Sequence, residues 1–133
     1  MHVLILISFL AGFFSSGDTT LTVLVKNVEV GKGTVVVEVW NDENLFFKKP
    51  MVSRSLKADS QSLEFSFELP GGRYAISAYQ DINDNKKLDL GMFNKPKEPV
   101  AFGNNFRPKF SAPKFEDCAI TLAQSMKIEI ELK

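Results

Sequence analysis

The chain has 133 residues, 44% of them hydrophobic, which suits one domain with a real core and leaves too little for two. Sixteen basic and sixteen acidic residues cancel and no Lys/Arg stripe forms, so no nucleic-acid partner is expected.

Val3 to Phe14 is an apolar run followed by Ser15, Ser16, Gly17 and Asp18. It is shorter than the roughly 20 residues a membrane span requires and ends in small residues, the pattern of a cleaved secretory leader. We expect residues 1–17 to be a signal peptide and 18–133 a single domain, secreted or periplasmic, without stable membrane insertion. No cysteine in this stretch offers a lipid attachment point. Removing it removes His2, the only histidine, and with it any Ser-His or Cys-His pair and any histidine-ligated zinc. Acid–base chemistry would fall to carboxylates, Lys or Tyr.

From there the period is that of strands. Leu21, Val23 and Val25 alternate with polar neighbours, Gly31-Lys-Gly33 turns, and Val35, Val37 and Val39 alternate with Val36, Glu38 and Trp40. This predicts a hairpin. Asn41 to Ala58 is less regular and contains Pro50, so a long connection with one helical turn around Glu43–Lys48 is expected. Leu63, Phe65, Phe67 and Leu69 share a face, and Pro70-Gly-Gly72 leads into a strand over Tyr74–Gln80, predicting a second hairpin. Cys118 alternates with Ile120 and Leu122 and is expected on their apolar face as a buried thiol that has no internal partner. Met126, Ile128, Ile130 and Leu132 close the pattern. With one face wet throughout, these strands predict an all-β fold, an antiparallel β-sandwich of about seven strands.

Asp81-Ile-Asn-Asp-Asn-Lys-Lys-Leu-Asp89 interrupts the alternation. It sets side-chain oxygens at Asp81, Asn83, Asn85 and Asp89, positions 1, 3, 5 and 9 of a calcium-binding loop, with the Lys87 carbonyl at position 7. Calcium wants six to eight oxygens, and a tight loop can aim alternate side chains at one point. Lys86 stands where a turn glycine is usual and Met92 where a bidentate Glu closes an EF-hand, so this is not an EF-hand. Asp84, out of phase, should face solvent. A metal-free reading is an Asx-rich turn.

Asp81 to Glu116 is too long for an ordinary hairpin connection. Phe93, Phe102, Phe106, Phe110 and Phe115 supply apolar area to pin it, and Pro96, Pro99, Pro108 and Pro113 limit its unfolded freedom. A long ordered Pro/Phe-rich loop is expected, its phenylalanines packed on the sandwich edge.

Four segments, Pro-Gly-Gly-Arg-Tyr-Ala-Ile-Ser-Ala-Tyr (70–79), the 81–89 loop, Pro-Lys-Glu-Pro-Val-Ala-Phe-Gly-Asn-Asn (96–105) and Ala-Pro-Lys-Phe-Glu-Asp-Cys-Ala (112–119), carry a resemblance. The chain resembles the secreted bacterial family called domain of unknown function 2141. The likeness implies a transthyretin-like or immunoglobulin-like sandwich and no established activity. Family members commonly have Gly where this chain has Lys86, and Phe-Ser-Asn-Asn where it has Phe102-Gly103. The resemblance also suggests distant oxygens to complete the shell: Glu98, Asn104, Asn105, Glu116 and Asp117, of which the carboxylates Glu98 and Asp117 offset the cation's charge best. The leading expectation is a non-enzymatic module with a structural calcium loop and an unidentified protein or glycan ligand. The alternatives are a metal-free structural or adhesive module, or a carboxylate-only glycan-active enzyme using Glu98 and Asp117, or Glu116 and Asp117.

Overall fold

The computed structural model describes residues 18–133; the expected signal peptide lies outside the described residues. Eight strands form, one more than the alternation alone suggested: β1 (Asp18–Lys26), β2 (Thr34–Trp40), β3 (Val52–Lys57), β4 (Ser62–Pro70), β5 (Gly72–Asp81), β6 (Val100–Phe102), β7 (Ala119–Leu122) and β8 (Met126–Glu131). They build an all-β sandwich of two sheets, one ordered β4-β1-β8 and the other β3-β2-β5-β6, with β7 also on β5. Every pairing is antiparallel except β1 with β8, which run parallel from Leu21–Met126 to Lys26–Glu131.

The apolar faces read from the sequence are the ones that are buried. Leu21, Val23, Val25, Val35, Val37, Val39, Phe65, Phe67, Ile76 and Ile130 meet between the sheets, each no more than 3% exposed. Burying side chains of this size is the dominant stabilising term, about 1.5–3 kcal/mol for each.

The expected hairpins do not form. β1 pairs with β4 and β8 while β2 pairs with β3 and β5, so Gly31–Gly33 carries the chain from one sheet to the other. Pro70–Gly72 does the same between β4 and β5. Alternation fixes which face a strand buries but not which neighbour it bonds.

β5 is the keystone. Tyr74 to Asp81 are all buried, because β2 lies along one edge and β7 and β6 share the other. Its outer face is not wet as expected. There Trp40, Ala75, Phe102, Phe115 and Cys118 form a second apolar cluster, with the Trp40 ring edge-on to Phe46 at 5.4 Å and the Trp40 Nε1–H donating to Ser77 Oγ at 3.0 Å. Cys118 is buried as expected but in this cluster, because it ends a single helical turn, α1 (Phe115–Cys118), while Ile120 and Leu122 face the main core. Burial, then the neighbouring Asp117 carboxylate, push the Cys118 thiol up to about 12, so it is inert at neutral pH. The expected helical turn is present as a 3₁₀ turn at Glu43–Leu45, its first N–H groups met by Asp42 Oδ1 accepting from Asn44 N.

One side of the sandwich is closed. Val100 and Lys133 exchange two backbone hydrogen bonds of 3.0 Å, joining β6 to the residues after β8. Asn105 accepts from Glu131 N and donates to Glu129 O, and Arg107 donates to the Val100 and Glu131 carbonyls, so the free edge of β8 is capped by side chains.

Candidate functional site

The Asp81–Asp89 loop grows directly from the end of β5. Asp81 is 2% exposed, a cost that its hydrogen bonds offset. Its Oδ1 accepts from Asn85 N at 3.2 Å and its Oδ2 from Lys86 N at 2.7 Å, while its carbonyl accepts from Asp84 N at 3.3 Å. The turn repeats one step on: Asn83 Oδ1 accepts from Asn85 N at 3.3 Å and Asn85 Oδ1 from Lys87 N at 3.1 Å. These are Asx turns, the local chemistry expected of Asn and Asp. They bend the backbone tightly enough that Asp84 (φ 54°) and Lys86 (φ 67°) both take left-handed conformations. At Lys86, where the resembling family commonly has Gly, that costs about 1 kcal/mol.

The alternate side chains converge. Asn83 Nδ2 donates to Asp89 Oδ2 at 2.8 Å and Asn85 Nδ2 donates to Asp89 Oδ1 at 2.7 Å. Positions 3, 5 and 9 of the loop therefore meet at one carboxylate. Lys87 gives its N–H to Asn85, and its carbonyl accepts no hydrogen bond among the described residues.

Glu98, sixteen residues from Ile82, returns to the loop. It is buried, and its Oε2 accepts from Ile82 N at 2.8 Å while its Oε1 accepts from Asp89 N at 3.0 Å. One carboxylate thus ties together both ends of the loop. A further tie runs to β2, where the Thr34 hydroxyl donates to Asp84 Oδ1 at 2.7 Å. Asp84 faces solvent as expected, yet it is anchored.

The other expected shell residues go elsewhere. Asp117 caps α1, its Oδ2 accepting from Lys114 N at 2.8 Å. Two residues on, Ala119 pairs with Ala75, six residues along β5 from Asp81; at about 3.3 Å per residue that is roughly 20 Å from the loop. Asn104 donates to the Asp117 and Ala119 carbonyls and Asn105 holds β8, so both brace the fold. The same separation parts Glu98 from Asp117, whereas a glycosidase acid pair stands about 5–9.5 Å apart.

Among the described residues no group of three or more His, Cys, Asp or Glu side chains is placed to hold a metal ion. The reason is visible in the hydrogen bonds. Both oxygens of Asp81 and both of Glu98 accept from backbone N–H groups, the Asn83 and Asn85 amide oxygens accept from Asn85 N and Lys87 N, and both Asp89 oxygens accept from the two amide NH₂ groups, so of this set only the Lys87 carbonyl accepts nothing among the described residues.

The Asn85 and Asn83 amides hold the Asp89 carboxyl below its ordinary value of 3.8, against an opposing desolvation and with smaller help from Lys87 and Lys97. A depressed carboxylate stabilises the folded loop above its unfolded pKa and loses that contribution as pH falls through the folded pKa. The contribution of Asp89 to the loop should therefore be constant between pH 7 and about 5 and be lost only below about 4. Following the Asn83 and Asn85 side-chain NH₂ resonances with pH should give a shared midpoint below 3.8, raised in Asn85→Ala; a midpoint at or above the ordinary value would show that the convergence does not exist in solution.

Three participants carried no sequence signal as site residues: Thr34, Gly33 and Gln80. Gly33 lies so close to Asp81 that it has no room for a side chain. Gln80, fully buried, accepts from Glu29 N and donates to the Glu29 and Lys32 carbonyls at 2.7–2.9 Å, locking the Gly31–Gly33 crossing against the loop. Only a glutamine alternating onto an apolar face hints at it.

The fold and loop define a β-sandwich with an Asx-braced loop at the end of its central strand. The chain belongs to the family described as uncharacterized proteins conserved in bacteria, DUF2141, whose model matches residues 23–130. No curated protein and no solved structure matches it.

Proposed function

We propose that this chain is an extracytoplasmic, non-enzymatic β-sandwich module whose Asp81–Asp89 loop takes calcium as a structural brace and presents the neighbouring surface to a protein or glycan. The observation that carries the reading is the meeting of Asn83 and Asn85 at Asp89, in the 1-3-5-9 register of a calcium loop. Turning the two amides to aim their oxygens inward, with the Lys87 carbonyl, would give an all-oxygen site suited to calcium. The shell would be completed by water, and by an Asp81 oxygen sharing its second lone pair. With Asp89 the one carboxylate of the loop held only by side-chain amides, the site is weak, with a dissociation constant on the order of 10⁻⁴ M. Millimolar calcium would then add about 1–2 kcal/mol by mass action, or about 5 °C in Tm for a domain of this size.

A second reading is favoured by a different observation. With each oxygen of Asp81 and Glu98 accepting one backbone N–H, the loop is already hydrogen-bonded as a metal-free latch. Thermal melts in EDTA, calcium and magnesium separate the two. A rise with calcium, little with magnesium, and none in Asp89→Ala is the expected result; equal Tm in all three leaves the metal-free module.

A further inference from the structure

Beyond the loop the chain projects a second hairpin, Leu90 to Lys97. Leu90 bridges to Pro96, Gly91 N donates to Lys95 O at 2.6 Å, Lys95 N to Met92 O at 3.2 Å and Lys97 N to Asp89 O at 2.8 Å, so the projection is built on the braced loop. Its tip is apolar and bare: Leu90 is 50%, Met92 78% and Phe93 86% exposed. Phe93 sits at φ 60°, ψ 30°, a conformation that bulky residues rarely adopt.

The charges around this tip are sorted. Of the acidic residues beneath it, Asp81 and Glu98 are buried, Asp84 is bonded to Thr34 and Asp89 to two amides. Lys86, Lys87, Lys95 and Lys97 are all exposed, and none forms an ion pair among the described residues. The Lys97 stem runs beside Gly91, whose added Cβ would meet Lys97 Cγ at 3.3 Å, and Lys87 and Lys97 both act on Asp89. The hairpin itself carries the exposed Met92 and Phe93 with Lys95 and Lys97 and no acidic residue, the composition of an interfacial anchor.

We propose that this hairpin docks the module on an anionic phospholipid surface, Met92 and Phe93 entering the acyl boundary while Lys95 and Lys97 meet the headgroup phosphates. Area argues against a protein partner for this tip by itself, whatever the rest of the surface near the loop binds. Phe93 and Met92 together offer on the order of 300 Å², whereas a specific protein interface buries about 1,000 Å² or more. An interfacial tip needs only about 5–10 Å of penetration, helped by attraction to anionic lipid. Such docking is peripheral, and no described helix is long and apolar enough to cross a membrane.

The test places a reporter at the tip. In Phe93→Trp, at a site too exposed to disturb packing, indole emission is followed against vesicles of phosphatidylcholine alone and of phosphatidylcholine with 30% phosphatidylglycerol, with and without brominated acyl chains. Trp40, 3% exposed, supplies a constant background. The expected result is a blue shift and bromine quenching with the anionic vesicles only, weakened by salt. Lys95→Ala with Lys97→Ala should raise the lipid requirement about 25-fold, at about fivefold per lysine. Running the series in EDTA makes it independent of the calcium reading. Emission that stays water-like, equal partition into neutral vesicles, an unchanged lipid requirement in the lysine variant, or a lipid-free shift that grows with protein concentration and so reports a second copy, would each overturn the proposal.

Discussion

Gly33→Ala is expected to cost more than about 4 kcal/mol, enough to leave little folded protein at 37 °C, since whole domains are stable by only about 5–15 kcal/mol. The Gly33 backbone has φ +65°, and a Cβ there would stand 1.9 Å from the Asp81 carbonyl oxygen, 2.8 Å from its carbon and 2.9 Å from the Ile82 Cα. All three are backbone atoms, and none can swing aside. The Asp81 carbonyl holds Asp84 N, the Asp81 side chain holds the next turn, and Gln80 pins residues 29 and 32 on either side of the crossing. Gly31 is the internal control. It too has a positive φ, +87°, but a Cβ there meets nothing within 4 Å, so Gly31→Ala should cost only the conformational term, about 1 kcal/mol. Urea midpoints of the two variants test the argument; near-equal values would mean that the close approach of the Gly31–Gly33 crossing to the loop is not present in solution.

The contrast shows what was legible in the sequence. Alternation names the inward residues of β1, β2, β4 and β8 because a strand's period is local. It says nothing of pairing, so two tight turns read as hairpins are crossings between sheets. The strands β3 and β6 were hidden in irregular stretches, β3 within the expected Asn41–Ala58 connection and β6 within Asp81–Glu116, because each is short and shows no clean alternation. The Asp81–Glu116 stretch divides its phenylalanines in a way composition does not reveal. Phe102 and Phe115 join Trp40 under a second cluster, but Phe93 and Phe110 stand in solvent, contrary to the expectation that all would pack on the sandwich edge. Alternation alone puts Trp40 on a wet face because its cover is non-local, coming from Phe46 in the connection and from Ala75, Phe102, Phe115 and Cys118 further along the chain. In the loop, the spacing of Asn83, Asn85 and Asp89 does predict their meeting, while Asp81 instead braces the backbone of the turn, since Asx turns are made by near neighbours. Glu98 was rightly placed beside the loop, though as an acceptor of two backbone N–H groups. Asp117 was not, because nothing in a carboxylate's identity says which end of β5 it will reach.

Glu98→Ala is expected to lower stability by about 2–5 kcal/mol, because it strands the Ile82 and Asp89 N–H groups, each costing about 1–3 kcal/mol when left without a partner. For a domain of this size that is roughly a 10–20 °C fall in Tm. Asp117→Ala removes only one cap contact on a single-turn helix and should cost about 0.5–2 kcal/mol. Glu98→Gln should fall between wild type and Glu98→Ala, since the amide keeps one acceptor and sets an NH₂ against the other donor. Amide exchange gives the argument its resolution. In Glu98→Ala the Ile82 and Asp89 amides should exchange faster by a larger factor than those of β1 and β4, whose pairing never touches Glu98. A uniform acceleration would mean that Glu98 acts only through global stability. A local one would establish it as the clamp that holds the loop in shape, so that any ligand of the loop, cation or lipid surface, binds to a form that Glu98 has already ordered.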